Sequence, residues 1–224
     1  MDSQELDAKI MSLKKTFVQK VTEAIKNEGK LHSYLVVWNQ LQNIASPVIA
    51  KILENDFKGS KIIIAKSKST YPDIKMDWNG FTIAIDIKSN ESCKNPWYDI
   101  ARLDTIVETR LEKYDEEYDL VVKYDSKTNK LLKIFFEPMR YTVGIRGDCG
   151  GVKFRPYDGK LRPKTWEEFD KGVIFWKTKK DFLKGIEISK KYRRRCLAKK
   201  WVGEMTGNEK ASFRKIFKCI FSLL

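Results

Sequence analysis

Two carboxylates and an ammonium group in one short stretch, Tyr71–Asn90, have the types and spacing to do chemistry together: Asp73, Asp86 and Lys88. Between them lies Asn79-Gly80, the strongest short-range signal for a two-residue type I′ hairpin, because both turn positions need a positive φ that Asn and Gly tolerate. With Trp78 facing Phe81, antiparallel partners step outward from the turn and Asp73 falls opposite Asp86. Side chains alternate across a strand. Ile74, Met76, Trp78, Phe81, Ile83, Ile85 and Ile87 therefore line one face, and Asp73, Lys75, Asp77, Thr82, Ala84, Asp86 and Lys88 the other.

Directly opposed residues have Cβ atoms about 4.5–5.5 Å apart, where like charges are destabilising. A carboxylate pair held that close calls for a divalent cation. One or two carboxylates, a backbone carbonyl, water and substrate phosphate make the hard-oxygen set that suits Mg²⁺. Lys88 projects from the same face one pleat beyond Asp86, beside the water that would attack. The competing interpretation is an edge hairpin whose Asp/Lys face is merely solvated.

Stepping outward from this stretch, 44 Lys and Arg against 30 Asp and Glu give a formal charge of +14, with a pI near 9.5. Such a balance points to a polyanion: nucleic acid first, an anionic membrane surface a distant second. A hydrophobic content of 42% excludes wholesale disorder, and 224 residues bury a real core as one domain. No apolar run is long enough to span a bilayer, and the start, M-D-S-Q-E-L-D, has no signal-peptide pattern. A cytoplasmic protein is expected. Cys93, Cys149, Cys196 and Cys219 are far apart with no C-x-x-C pair, so neither a zinc ribbon nor a disulfide scaffold is indicated. The single histidine, His32, next to a Gly-Lys turn, excludes histidine metal clusters and is read as structural.

The elements that must position the hairpin follow in order. Leu6, Ile10, Leu13, Phe17, Val21 and Ile25 recur at helical steps and predict one amphipathic helix over 2–27, capped by Asp2 or Ser3. A helix over 33–57 should be interrupted at Ser46-Pro47, where Ser can cap and Pro can open a new first turn. This N-terminal helical part, about 1–57, is a candidate dimerisation surface. Lys61–Lys66 reads as a strand and Lys66-Ser67-Lys68-Ser69-Thr70 as a basic loop beside the phosphate site. After the hairpin, a helix is expected from Trp97 to about Tyr114, then strands at 119–124, 130–136 and 141–145. Arg146-Gly147-Asp148-Cys149-Gly150-Gly151 is a loop whose glycines permit close approach to a partner. Thr165-x-x-Glu168 is a capping box. From 178 the chain is helical and basic, with Lys190, Lys191, Arg193, Arg194, Arg195, Lys199 and Lys200 in close succession, read as phosphate-binding. Residues 209–224 are amphipathic.

Pro72-Asp73, followed by Asp86-Ile87-Lys88 at the end of an apolar strand, resembles the PD-(D/E)XK nuclease signature. Within that superfamily the chain is similar to the EcoRV-like type II restriction endonucleases. The resemblance extends to Glu28–His32, Ser46–Ile52, Tyr71–Asp73, Ala84–Lys88 and Lys133–Gly151. It implies an α/β (α+β) fold with a mixed central sheet flanked by helices. It also implies that Asp73 and Asp86 ligate Mg²⁺, that Ile87 lends its backbone carbonyl, and that Lys88 positions or helps deprotonate the attacking water. Mn²⁺ should substitute, and Ca²⁺ should support binding only. The loop Arg146, Asp148, Cys149, Gly150, Gly151, with Lys153 and Arg155 beyond it, would read bases; Lys66–Thr70 and Arg193, Arg194, Arg195 and Lys199 would hold the backbone. The partners implied are double-stranded DNA at a short palindromic site, cut to blunt ends with 5′-phosphates, a second copy in a homodimer, and a cognate DNA methyltransferase as functional counterpart in a prokaryotic cytoplasm. The helix carboxylate of that branch falls near Gln42 here, with Glu54 serving only if the alignment slips; Gln42 is then expected to support the ligands from behind.

Two rival functions remain from the residues alone. A DNA repair or junction nuclease with the same core would ignore base sequence. A non-catalytic basic DNA-binding protein would not cut at all.

Overall fold

In the computed structural model, residues 2–28, 34–67, 70–92, 95–125, 127–128 and 130–204 are described, without the side chains of 34–39 and 201–204. His32, Lys68, Ser69, Cys93, Cys219 and the amphipathic segment 209–224 lie outside these residues. Five strands form a mixed sheet in the order β1-β2-β3-β4-β5: β1 Lys61–Ile64, β2 Ile74–Trp78, β3 Phe81–Glu91, β4 Glu116–Asp125 and β5 Lys130–Pro138. All neighbours are antiparallel except β3 and β4, which run parallel. The fold is thus α+β, a mixed sheet flanked by helices.

The hairpin has the register its turn dictates. Asn79 and Gly80 take φ of 49° and 85°, both positive as a type I′ turn requires. Trp78 pairs with Phe81 and the ladder runs to Ile74 opposite Ile85. β2 is not an edge, because β1 pairs along it from Lys61 opposite Asp77 to Ile64 opposite Ile74. The solvated-edge interpretation therefore loses its edge.

The two sheet faces are covered differently. On one, Ile74, Met76, Ile83, Ile85, Tyr118, Leu120, Val122 and Phe136 pack with Leu6, Ile10, Phe17, Val21, Leu41, Ile49 and Leu53. These last come from α1 Ser3–Ser12, α2 Lys14–Asn27 and α3 Tyr34–Asp56. Phe17 meets the Phe136 ring at 4.8 Å, and burial of each such side chain contributes about 1.5–3 kcal/mol. On the other face, Val121 and Phe135 pack with Trp166 and Phe169 of α5 Trp166–Asp170 and with Phe182 and Ile186 of α6 Lys179–Glu204. That second core covers β4 and β5.

Four expectations are corrected. The first helix breaks at Leu13, where Ser12 Oγ donates to the Lys9 carbonyl at 2.6 Å and competes with the helical bond; Asp2 caps α1 in a capping box with Glu5. α3 passes through Pro47 unbroken, because Leu41, Ala45, Ile49 and Leu53 keep one buried stripe across it. No helix spans 97–114. There Ile100 and Leu103 donate main-chain bonds to Leu161 and Gly159, and only a π-helical turn, Val107–Leu111, follows. The strand expected at 141–145 is α4 Met139–Thr142 followed by β6 Ile145–Arg146, which pairs with β7 Gly151–Val152. The Thr165–Glu168 capping box is present as read.

Candidate active site

Asp73 lies one residue before β2, and the hairpin register sets it beside Asp86 on β3. The ladder ends with Ile74 opposite Ile85, which sets Asp73 and Asp86 side by side one step further on, and both residues are only 6% exposed. Asp73 is held on both oxygens: Gln42 Nε2 of α3 donates to Oδ1, and the Ile87 main-chain N–H donates to Oδ2 at 2.6 Å. Ile87 thus meets Asp73 through its N–H. The α3 side chain that reaches Asp73 is thus an amide, Gln42, and Glu54 is exposed on the same helix. Lys88 Nζ is 2.6 Å from Asp86 Oδ2. Asp73, Asp86 and Lys88 are together, as the turn predicted.

Three further charged residues surround them that the sequence reading did not place. Because β4 runs parallel to β3, Asp86 pairs with Asp119 and Ala84 with Glu117, so both acids of β4 project to the face that carries Asp86. From the π-turn, Arg110 reaches within 4.0 Å of Asp86 Oδ2 and 3.8 Å of Glu117 Oε2. Thr142 Oγ1 donates to Asp119 at 2.6 Å. One strand further, Glu137 pairs with Asp119 and accepts from the fully buried Lys164 at 2.8 Å. A signal for the β4 acids existed: Glu117 and Asp119 alternate with Tyr118 and Leu120 at the head of an apolar strand.

The electrostatics separate the carboxylates. Burial, then the neighbouring Asp86 charge, push Asp73 up to about 7. Burial also acts to raise Asp86, but Lys88 and Arg110 outweigh it and hold Asp86 below the usual carboxylate range. Burial lifts Glu117 to about 7 and Asp119 to about 6, in the second case helped by the Asp86 charge. The two members of the pair are thus pushed apart: Asp86 is held ionised, while Asp73 keeps its proton to a higher pH than an ordinary carboxyl does.

This donor set fits Mg²⁺. Two hard carboxyl groups converge, and a cation between them would displace the proton that the raised Asp73 otherwise holds. Among the described residues no group of three or more His, Cys, Asp or Glu side chains is spaced to hold an ion. The remaining ligands would be main-chain oxygen, water and substrate phosphate, the company Mg²⁺ keeps.

The predicted DNA-contacting residues are spread more widely. Lys66, Ser67 and Thr70 are exposed on the connection between β1 and Asp73. Arg146 ends β6 with its fork on Asp148 at 2.7 and 2.9 Å, its guanidinium 4.8 Å from the Phe154 ring and 4.9 Å from that of Tyr192. Asp148 also accepts from Tyr192 of α6 at 2.7 Å. Gly150 is exposed, Cys149 half-buried with a free thiol, and Gly151 buried against α6. Lys153 Nζ donates to the Pro163 carbonyl at 3.1 Å. Arg155 is paired with Asp158 and Arg193 with Pro156 O and Asp104. Arg194, Arg195 and Lys199 are exposed on α6.

These features define an α+β domain with a largely buried carboxylate–lysine site on one face of its sheet. No family model and no curated protein matches the chain. Among solved structures it is similar to NlaIV restriction endonuclease, at 17% identity and a TM-score of 0.45, over 68% of this chain and 63% of that one. The chain thus spans less than two thirds of the length of that structure. Among the described residues no helix is long and apolar enough to cross a membrane.

Proposed function

We propose that the chain is a Mg²⁺-dependent endonuclease of the PD-(D/E)XK kind, acting on double-stranded DNA as a type II restriction enzyme of the EcoRV-like branch. The observation that carries this reading is the β2–β3 register that sets Asp73 beside Asp86, with Lys88 2.6 Å from Asp86, in a chain of net charge +14. Asp73 and Asp86 would hold the ion, with the Ile87 carbonyl beside them. A bound Mg²⁺ would supply charge for the anionic transition state and lower the pKa of a coordinated water. Gln42 and the Ile87 N–H keep Asp73 facing its partner. Lys88, as an ammonium, would orient the attacking water and stabilise the hydroxide that forms as the water gives up its proton to solvent. Arg110 adds a second positive charge on the same face. A homodimer supplies one site per strand and a palindromic target; blunt ends with 5′-phosphates, and a methyltransferase that protects the same sequence, belong to this reading.

Digestion of a fully sequenced plasmid with Mg²⁺, and in parallel with EDTA, tests it. Discrete fragments ending at one short sequence, absent with EDTA and absent for Asp86→Ala, are expected. Structure-directed nicking would replace the restriction reading with a repair or junction nuclease, and cleavage by Asp86→Ala at the wild-type rate would remove the catalytic assignment.

A further inference from the structure

Arg110 is 9% exposed and lies in the π-turn that stands where a regular helix was expected. Its helical turn is widened: the Glu112 N–H bonds to the Val107 carbonyl, five residues back, at 3.0 Å. Such π-turns recur where a side chain must be re-aimed at a functional site. The guanidinium carbon sits over the Tyr71 ring, 3.5 Å from its centroid. The Tyr71 hydroxyl in turn donates to Glu117, and the Tyr71 ring meets that of Tyr114 edge-on at 5.7 Å. Tyr71 is separated from Asp73 only by Pro72, so whatever fixes Tyr71 fixes the approach of Asp73 to Asp86. Arg110 also spans the two parallel strands, since Asp86 is on β3 and Glu117 on β4. Its Nη1 has no hydrogen-bond partner. An unsatisfied buried guanidinium nitrogen is costly, and it is retained here at the carboxylate pair.

We propose that Arg110 is a positioning residue: stacked on Tyr71 and set between Asp86 and Glu117, it fixes the spacing of the Asp73–Asp86 pair so that the two can share one divalent cation. The proposal rests on the nuclease reading for its kinetic consequence but not for its metal-binding one. A planar fork is required for this role, and an ammonium on a flexible stem cannot both stack and span.

The test uses the full chain and Mn²⁺ as probe, with binding followed by electron paramagnetic resonance without DNA, alongside single-turnover cleavage with Mg²⁺. Arg110→Lys and Tyr71→Leu should each weaken Mn²⁺ binding about tenfold and slow cleavage about a hundredfold. DNA affinity in Ca²⁺ should stay within about threefold, because the rest of the basic surface is untouched. The double variant should be no worse than either single one, the mark of two residues acting as a unit. Tyr71→Phe, which keeps the stack, should bind Mn²⁺ within about threefold of wild type. Normal Mn²⁺ affinity in Arg110→Lys, or additive losses in the double variant, would overturn the proposal. Should the wild type bind Mn²⁺ yet cut no DNA, the nuclease reading fails while the metal arm still judges Arg110; a wild type that binds no Mn²⁺ overturns both.

Discussion

Replacing Asp73 by Asn asks how much the unneutralised carboxylate pair costs the fold. Asp73 is buried and its carboxyl is raised from 3.8 to about 7, so the folded chain holds this proton more tightly than the unfolded chain does. A raised carboxyl contributes stability that is complete below the unfolded value and lost as pH rises through the folded one. Between pH 5 and pH 8 the loss works out at about 2–3 kcal/mol, or roughly 5–10 °C in melting temperature for a chain of this size. Glu117 and Asp119, also raised, add losses in the same direction in both proteins, so the comparison isolates Asp73. Asn keeps an acceptor for the Ile87 N–H, and Gln42 can turn its amide to suit. In EDTA, thermal melts from pH 5 to pH 8 should therefore fall more steeply for the wild type than for Asp73→Asn, which becomes the more stable protein at pH 8. Added Mg²⁺ should recover the wild type at pH 8 and leave the variant unchanged. Parallel melting curves for the two proteins over this range, without metal, would refute the reasoning.

Other perturbations have equally definite outcomes. Lys88→Ala should slow single-turnover cleavage by about two orders of magnitude or more while filter binding in Ca²⁺ stays unchanged. Neutralising Arg194 and Arg195 together should reduce the slope of log binding constant against log salt by about 2, measured by fluorescence titration, if both residues neutralise phosphates. In Gly151→Ala the new Cβ would lie 2.2 Å from Ser189 Oγ and 2.9 Å from the Gly185 carbonyl. The β6–β7 turn must then lift from α6, at a cost of about 1–3 kcal/mol, visible in a urea titration.

What the sequence made legible follows from the range of the forces involved. The hairpin, its register and the meeting of Asp73 with Asp86 rest on turn chemistry and a period of two, both local. Gln42 was placed behind Asp73 only through the resemblance, and its amide does reach that carboxyl. Pro47 misled because the lost helical bond is local, whereas the buried stripe through Ala45 and Ile49 is a property of the whole helix. The segment 97–114 misled in the opposite way. Ile100, Leu103 and Ile106 are buried at helix-like spacing, but the N–H groups of Ile100 and Leu103 are satisfied by Leu161 and Gly159, far away in sequence. Arg110 was invisible because no short-range pattern announces a π-turn, and Glu117 because the strand was expected to begin two residues after it.

The parallel β3–β4 step has a consequence for how the site can change. Asp73, Asp86, Asp119 and Glu137 form a transverse rank across four successive chain segments, each contributing one acid. No single loop owns that rank, so lengthening a connection leaves it intact, whereas one extra residue within β3 would turn part of it over to the greasy side. Novelty in this molecule therefore has its freest room in the turns and tails, with the middle of the sheet acting as a fixed ruler.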